Sequence, residues 1–382
     1  MRVLFATPAY WPAVAYGGPI WMARALTEGL VRRGHAVDVV TTSLRSIGSP
    51  PRSRIRTRAR VVEGVAVREL ATPLRYRWMG ITPTLPLALH SLPRPDVVHV
   101  FGFRDAITTV TAAWCRARRI PYVFEPLDML VPQFRNVPLK RAFDRLLGEP
   151  VVRGAALVVA NSARERAQLV AAGVEVTQIV VRPNGFPPPH DDRGTILRAR
   201  LGIGGQVPLV LNVGRLSFKK GLDLLLEAVA PLPAVHVAIV GPDDGDGTRQ
   251  LLEERAARPD LAGRVGLLPP FDARQPRELY GEADIFVLPS RNESFGMVAA
   301  EAAAAGVAVV VTDQCGVAEL LANAALVVPT EVHAIRAAIV RLLDDPPLRR
   351  RLGQAGQAVA GATSWDAVVA LQEGFYRRAI DA

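Results

Sequence analysis

The stretch D-I-F-V-L-P-S-R-N-E-S-F-G-M-V-A-A-E-A-A-A-A-G-V-A-V-V-V-T-D-Q-C-G-V-A-E, from Asp284 to Glu319, decides the fold. Ile285 to Leu288 is a short apolar run bounded by Asp284 and Pro289, as a buried strand would be. A polar turn, Ser290 to Ser294, leads into the alanine-rich run Met297 to Ala305, whose composition suits only a helix. Gly306 supplies the residue free to take positive φ that ends such a helix, and Val307 to Val311 is a second buried strand. The stretch is therefore expected to be a β-α-β unit.

The first turn of that unit carries chemistry. With Ser294, Phe295, Gly296 and Met297 opening the helix, their backbone N–H groups have no partner inside it. Gly296 lets a ligand come close to the backbone, and a helix N-terminus with free donors suits phosphate. Glu293 precedes the helix and Glu301 lies within it. Eight helical residues span about 12 Å at roughly 1.5 Å each, too far for one acid–base dyad. The spacing suits a grip on two ends of a ligand whose middle is a diphosphate. Either that is their role, or Glu293 is a solvated loop acid and Glu301 a surface helix residue. The apolar neighbours of Glu301 argue for burial, and a buried carboxylate needs a partner.

Working outward, 382 residues suggest two domains. The two cysteines, Cys115 and Cys315, have no metal-ligand spacing, exclude a disulfide framework and suit a reducing cytoplasm. Pro8 and Pro12 interrupt any signal-peptide core, so Val3 to Thr7 is expected to be a first strand. The net charge of +10 is unevenly placed: before Asp191 there are 26 bases against 12 acids. Either this is a solvated basic face, or the first half meets an anionic membrane surface, a lipid phosphate or an acidic glycan. The membrane form of that reading puts the protein peripherally at an inner membrane face. Few aromatic residues and no recognisable module argue against nucleic acid.

In chain order, the first strand is followed by a loop containing Gly17-Gly18, a helix over Ile20 to Arg33 closed by Gly34, and a strand over His35 to Thr41. That is half of a mononucleotide-binding fold, without the G-x-G-x-x-G of a dinucleotide dehydrogenase. Gly17-Gly18 alone fits a flexible turn as well as a ligand loop. Leu44 to Arg77 is the least orderly section; alternation between Arg54 and Arg60 hints at an edge strand or a solvated loop. Arginines beside Tyr76 and Trp78 fit an interfacial patch or a folded-back lid. Strands are expected near Pro95 to Phe101, with His99 on it, and Pro121 to Phe124, followed by Glu125 and Asp128. Ser162 and Glu165 have capping-box spacing. Arg182-Pro-Asn-Gly-Phe-Pro-Pro-Pro189 marks a stiff linker, placed near 183–194. The second half repeats the strand–loop–helix logic, with Arg215 and Lys220 in a glycine-flanked loop at a strand end, where open α/β sheets bind ligands. Val265 to Leu268 is expected to be another strand, its end near Phe271 bordering a nucleotide base.

Glutamate, seven residues, glutamate, with S-F-G between, L-P-S before and a strand after, resembles the signature of family-4 retaining glycosyltransferases. The Gly-Arg215…Lys220-Gly element, Asn184-Gly185 and the Gly17-Gly18 loop are similar to that family's elements too, so the resemblance covers nearly the whole chain. It implies an α/β fold of two facing doubly wound Rossmann-like domains, the GT-B architecture, with an interdomain cleft. The first domain would be 1–185 with a terminal helix, 365–382, packing back on it; the second would be 195–364. It implies that Glu293 contacts the donor sugar and Glu301 the ribose, while the amides of Ser294, Phe295, Gly296, Met297 and Val298 hold the diphosphate. Gly17 and Gly18 would approach the donor phosphate and acceptor, and Asn184 would sit at the mouth of the cleft. Arg215 and Lys220 would neutralise the leaving diphosphate, with no metal and no cofactor beyond the nucleotide-diphosphate sugar. The acceptor would be a glycan, a lipid-linked sugar or a small molecule. Where the family carries a histidine followed by glycine at the end of the Pro121 to Phe124 strand, this chain has Glu125, expected either to face the acceptor or to pair with an arginine. A retaining phosphorylase of the same fold and a catalytically silent sugar-nucleotide-binding subunit remain alternatives.

Overall fold

The computed structural model describes residues 1–45, 56–76, 79–132, 136–270 and 276–382. Arg52, Arg54, Arg77, Trp78 and Phe271 lie outside the described residues. The chain divides into two compact units, Met1–Asn184 with Trp365–Ala382, and Gly185–Ser364.

The first unit holds β1 (Arg2–Ala6), β2 (Ala36–Thr42), β3 (Arg58–Val62), β4 (Val65–Leu70), β5 (Leu74–Tyr76) and β6 (Met79–Ile81). It continues with β7 (Val97–Phe101), β8 (Tyr122–Glu125), β9 (Leu157–Ala160) and β10 (Ile179–Val181). Eight of them form one sheet in the order β10-β9-β8-β7-β1-β2-β4-β3, while β5 and β6 pair separately. The large sheet is parallel except at its edge, where β3 runs antiparallel to β4. The alternating arginines of that region do lie on an edge strand. The helix after β1 spans Gly18–Arg32, two residues earlier than its apolar pattern suggests, because Pro19 is tolerated in a first turn that needs no N–H there. The terminal helix Trp365–Asp381 packs on it. At Gly29 a Cβ would come 2.5 Å from Val369 Cγ2, so the glycine permits the close approach. Arg33 and Glu373 pair across it at 2.7 Å.

The second unit holds β11 (Leu209–Val213), β12 (His236–Val240), β13 (Val265–Leu268), β14 (Ile285–Leu288), β15 (Ala308–Thr312) and β16 (Ala325–Val328). All are parallel, in the order β13-β12-β11-β14-β15-β16. Residues on opposite faces feed separate cores, as period-2 alternation requires. Leu209, Leu211, Phe286, Leu288, Val309 and Val311 pack with the alanine-rich helix. Val210, Ile285, Val287 and Val310 pack with Leu225, Leu226, Ile335 and Ile339. Burial on both faces is why these strands are nearly uninterrupted apolar runs. The chain leaves β11 toward β12 and returns on its other side as β14. That reversal opens a crevice at the carboxyl ends of β11 and β14, the place where open α/β sheets take ligands.

Candidate active site

The loops after β11 and β14 of the second unit meet at that crevice. Gly221, at φ +63°, closes the 3-10 turn Phe218–Lys220; a Cβ there would lie 2.0 Å from the Pro289 carbonyl oxygen. Only glycine lets the two loops touch at that point, and the contact sets Lys220 beside Glu293. Lys220 Nζ and Glu293 Oε2 form an ion pair, with 13% and 16% of their side chains exposed. The Arg291 N–H donates to the Lys219 carbonyl oxygen at 2.8 Å, and the Arg291 guanidinium bonds both oxygens of Asp223 at 2.7 and 2.6 Å. Arg215, half-buried after β11, pairs with Asp244 at 2.9 Å.

The electrostatics follow. Burial alone would push the Glu293 carboxyl up, but the charges of Lys220, Lys219 and Arg215 outweigh it and hold the group below the usual carboxylate range. Glu293 is thus an acceptor, suited to hydroxyl groups and unsuited to giving up a proton. Burial pushes the Lys219 ammonium down, opposed by Glu293 and reinforced by Lys220 and Arg215.

The helix beyond runs Met297–Ala304, with Gly296 at φ +103° flanking it. Ser294 and Phe295 therefore precede the helix, a correction to the expectation that they open it. The Phe295 ring is anchored in the core, edge-on to Phe186 at 6.2 Å, and Gly296 takes a left-handed turn no helical residue adopts. Among the described residues, the amides of Ser294, Phe295, Gly296, Met297 and Val298 donate to no acceptor. Met297 and Val298 remain partly open to solvent. Glu301 is half-buried and accepts a 2.5 Å bond from the Tyr280 hydroxyl, which is itself buried. Burial raises the Glu301 carboxyl, and the Tyr280 bond opposes the rise.

The strand ends of the first unit behave differently. Glu125, expected either to face the acceptor or to pair with an arginine, is fully buried. Its Oε1 accepts from Arg182 Nη2 at 2.6 Å, and its Oε2 lies 3.1 Å from His99 Nε2. Arg182 also donates to Gln372 at 3.1 Å and Asn161 at 3.3 Å, and His99 Nδ1 meets the Tyr376 hydroxyl at 2.7 Å. Burial would raise Glu125, but Arg182 first and then His99 hold it low, while burial lowers His99. The network assigns a neutral His99 that donates from Nε2 and accepts Tyr376 at Nδ1. With both oxygens engaged, Glu125 takes the second of its two expected roles, an acid paired with an arginine. Asn184 is also buried: its Nδ2 donates to Met22 Sδ at 3.4 Å, while its Oδ1 has no donor among the described residues. Gly17, at φ +82°, flanks the N-terminus of the helix Gly18–Arg32, and nothing lies within 4 Å of where its Cβ would be. A ligand can approach that backbone. Ser162 caps its helix through Glu165 N at 3.1 Å, but the Glu165 side chain bonds Asn161 N at 2.8 Å and Asp128 N at 2.5 Å, so the reciprocal half of the box is absent. Burial raises Glu165 to about 7.

Pattern reading missed Tyr280, Asp244 and Lys219. Asp244 sits in the Asp-Asp-Gly-Asp run after β12, a strand-end acid cluster that could have drawn notice; Tyr280 lies 21 residues before its partner and gives no local signal.

Doubly wound parallel sheets with a phosphate-suited crevice are a nucleotide-binding architecture, and the comparisons give the class. Residues 195–359 match the glycosyl transferases group 1 model, and 17–185 match the glycosyl transferase 4-like domain. The chain belongs to the family-4 glycosyltransferases of GT-B type and is an enzyme of that class. A D-inositol 3-phosphate glycosyltransferase of Xylanimonas cellulosilytica is 30% identical over 93% of this chain and 90% of that protein. One from Kineococcus radiotolerans is 33% identical over 96% and 91%. Among solved structures, sucrose-phosphate synthase from Thermosynechococcus elongatus superposes with a TM-score of 0.76 at 22% identity, covering 99% of this chain and 98% of that one. Anabaena HepE in complex with UDP-glucose gives 0.74 at 21%, covering 98% and 100%.

Proposed function

We propose that the chain moves a sugar from a nucleoside-diphosphate sugar to an acceptor with retention of anomeric configuration and without a metal ion. The observation that carries this reading is the gathering of Lys220, Arg215 and Glu293 beside five amides with no acceptor of their own. Arg215, Lys220 and the amides of Ser294 to Val298 neutralise the diphosphate as the bond between the anomeric carbon and the phosphate oxygen breaks. Glu293, held ionised, accepts from sugar hydroxyls, and Glu301 accepts from the ribose. The acceptor oxygen bonds the anomeric carbon from the same face, and its proton passes to the departing phosphate oxygen. No carboxylate of this crevice needs to act as a covalent nucleophile.

The names of the curated relatives favour a small phosphorylated polyol as the first acceptor to try, and the HepE complex favours a uridine donor. Thermal shift against nucleoside diphosphates tests the donor half: UDP or another nucleoside diphosphate is expected to raise the melting temperature of the folded protein. If none does while inorganic phosphate with a sugar supports turnover, the phosphorylase alternative replaces this one. The anomeric configuration of the product, read by NMR, tests retention. A rate unchanged by a chelator is the expected result for metal independence.

A further inference from the structure

The first unit carries a helical stretch whose outward side is apolar. The helix Val137–Phe143 runs through a π-turn, Asp144–Gly148, into the helix Glu149–Arg153. Its inner side is fixed firmly. The Phe143 ring lies edge-on to Phe103 at 6.2 Å, and Asp144 takes bonds of 2.8 and 2.7 Å from Arg104, which also donates to the Leu130 carbonyl oxygen at 2.9 Å. On the outer side Leu139, Leu146 and Leu147 are 60%, 76% and 48% exposed. Leu139, the exposed Ala142 and Leu146 stand at i, i+3 and i+7, one stripe along the helix. Exposed Arg141 and Arg145 flank it, and neither guanidinium has a carboxylate partner among the described residues. The neighbouring acid, Glu149, is occupied by Arg153 at 2.5 Å.

We propose that this stretch is an interfacial element that seats on an anionic lipid bilayer, the leucines entering the acyl boundary and Arg141 and Arg145 meeting lipid phosphates. Leucines standing in water on a rigidly held helix lose nothing by leaving it, and a helix with an apolar stripe edged by arginines lies naturally in the plane of a bilayer surface. Charge selects the occupant. The stretch belongs to the half of the chain with 26 bases against 12 acids, which complements an anionic surface. A second copy is disfavoured, because a two-fold contact would gather the unpaired arginines of both copies into one interface. Among the described residues no helix is long and apolar enough to cross a membrane, so contact through this element is peripheral. The proposal is independent of the donor chemistry above.

The test is sedimentation of the full chain with phosphatidylcholine vesicles, with and without phosphatidylglycerol. Binding is expected only to the anionic vesicles and is expected to weaken steeply with salt. Leu139→Ser with Leu146→Ser should reduce apparent vesicle affinity by about tenfold or more while melting temperature and nucleoside-diphosphate binding stay as in the wild type. Arg141→Gln with Arg145→Gln should remove most of the preference for anionic lipid, and serves as the second variant should the leucine pair disturb folding. Equal sedimentation with both lipids, unchanged vesicle binding by both double variants, or a dimer in light scattering that the leucine pair dissociates would each overturn it.

Discussion

Glu125 and Glu293 both stand at the carboxyl ends of parallel sheets, and both are held ionised because cations outweigh burial. Around Glu125 both carboxylate oxygens are engaged inside the first unit, by Arg182 and His99, in a buried set with Asn161, Gln372 and Tyr376; Arg182 Nε, Asn161 Nδ2 and Gln372 Nε2 of that set have no acceptor among the described residues. Around Glu293 one oxygen pairs with Lys220, and Lys219 and a run of amides with no acceptor of their own lie beside it. A depressed carboxyl therefore does not identify a site by itself, and neither do unpaired donors. Access separates the two: the Glu125 set is buried, whereas Met297 and Val298 beside Glu293 are partly open to solvent.

The largest effects should come from breaking the Glu125 set. Arg182→Met leaves the buried Glu125 without its guanidinium partner, which costs roughly 3–5 kcal/mol and should appear as a large fall in melting temperature. The pH dependence should also reverse. In the wild type the depressed Glu125 carboxyl gives stability that is present above the ordinary 4.5 and lost as pH falls through its lower folded value. In the variant only His99 and Asn161 oppose burial, the folded carboxyl is expected to rise, and stability should fall as pH rises. Urea titrations at two pH values check the sign.

Breaking the Glu293 set should spare the fold and remove turnover. Lys220→Ala is expected to lower kcat about 100- to 1000-fold with a small change in melting temperature, because charge on the leaving group develops in the transition state. Equal turnover with only a raised KM would remove Lys220 from that role. Next in size, Gly221→Ala forces a Cβ onto the Pro289 carbonyl at positive φ; it should cost about 1–3 kcal/mol of stability and reduce kcat by displacing Lys220. The smallest effect sharpens the ribose end. Tyr280→Phe should weaken nucleoside-diphosphate binding about tenfold by calorimetry. Glu301 needs its carboxylate to accept from ribose, so affinity falls as pH falls through its raised value. Without Tyr280 that loss should begin at a higher pH.

The second unit was legible because its site is local. Ile285 to Val311 carries strand, turn, helix and strand in one run, and the residues that meet at the crevice lie on the two loops its topology joins. Even so, the helix started later than composition suggested, since Phe295 is claimed by the core and Gly296 by a left-handed turn. The first unit was legible in outline only. Glu125 finds partners 26 and 57 residues away, and Arg182 finds one 190 residues away, so neither alternation nor propensity could tell a sealed acid from a reactive one. Asn184 shows the same limit: a strand-end Asn-Gly gives no local signal that its side-chain amide meets Met22. The Arg54 to Arg60 alternation succeeded in its described part because an edge strand needs only local pattern.

The helix Trp365–Asp381 gives Tyr376 and Gln372 to the interior of the unit that the ribosome makes first. During synthesis the second unit has all its residues before the first has its own, so the earlier-made half must wait, with His99 and Arg182 short of partners, until the final helix emerges. A chain cut short after Ser364 would thus wound the half farthest from the cut in sequence.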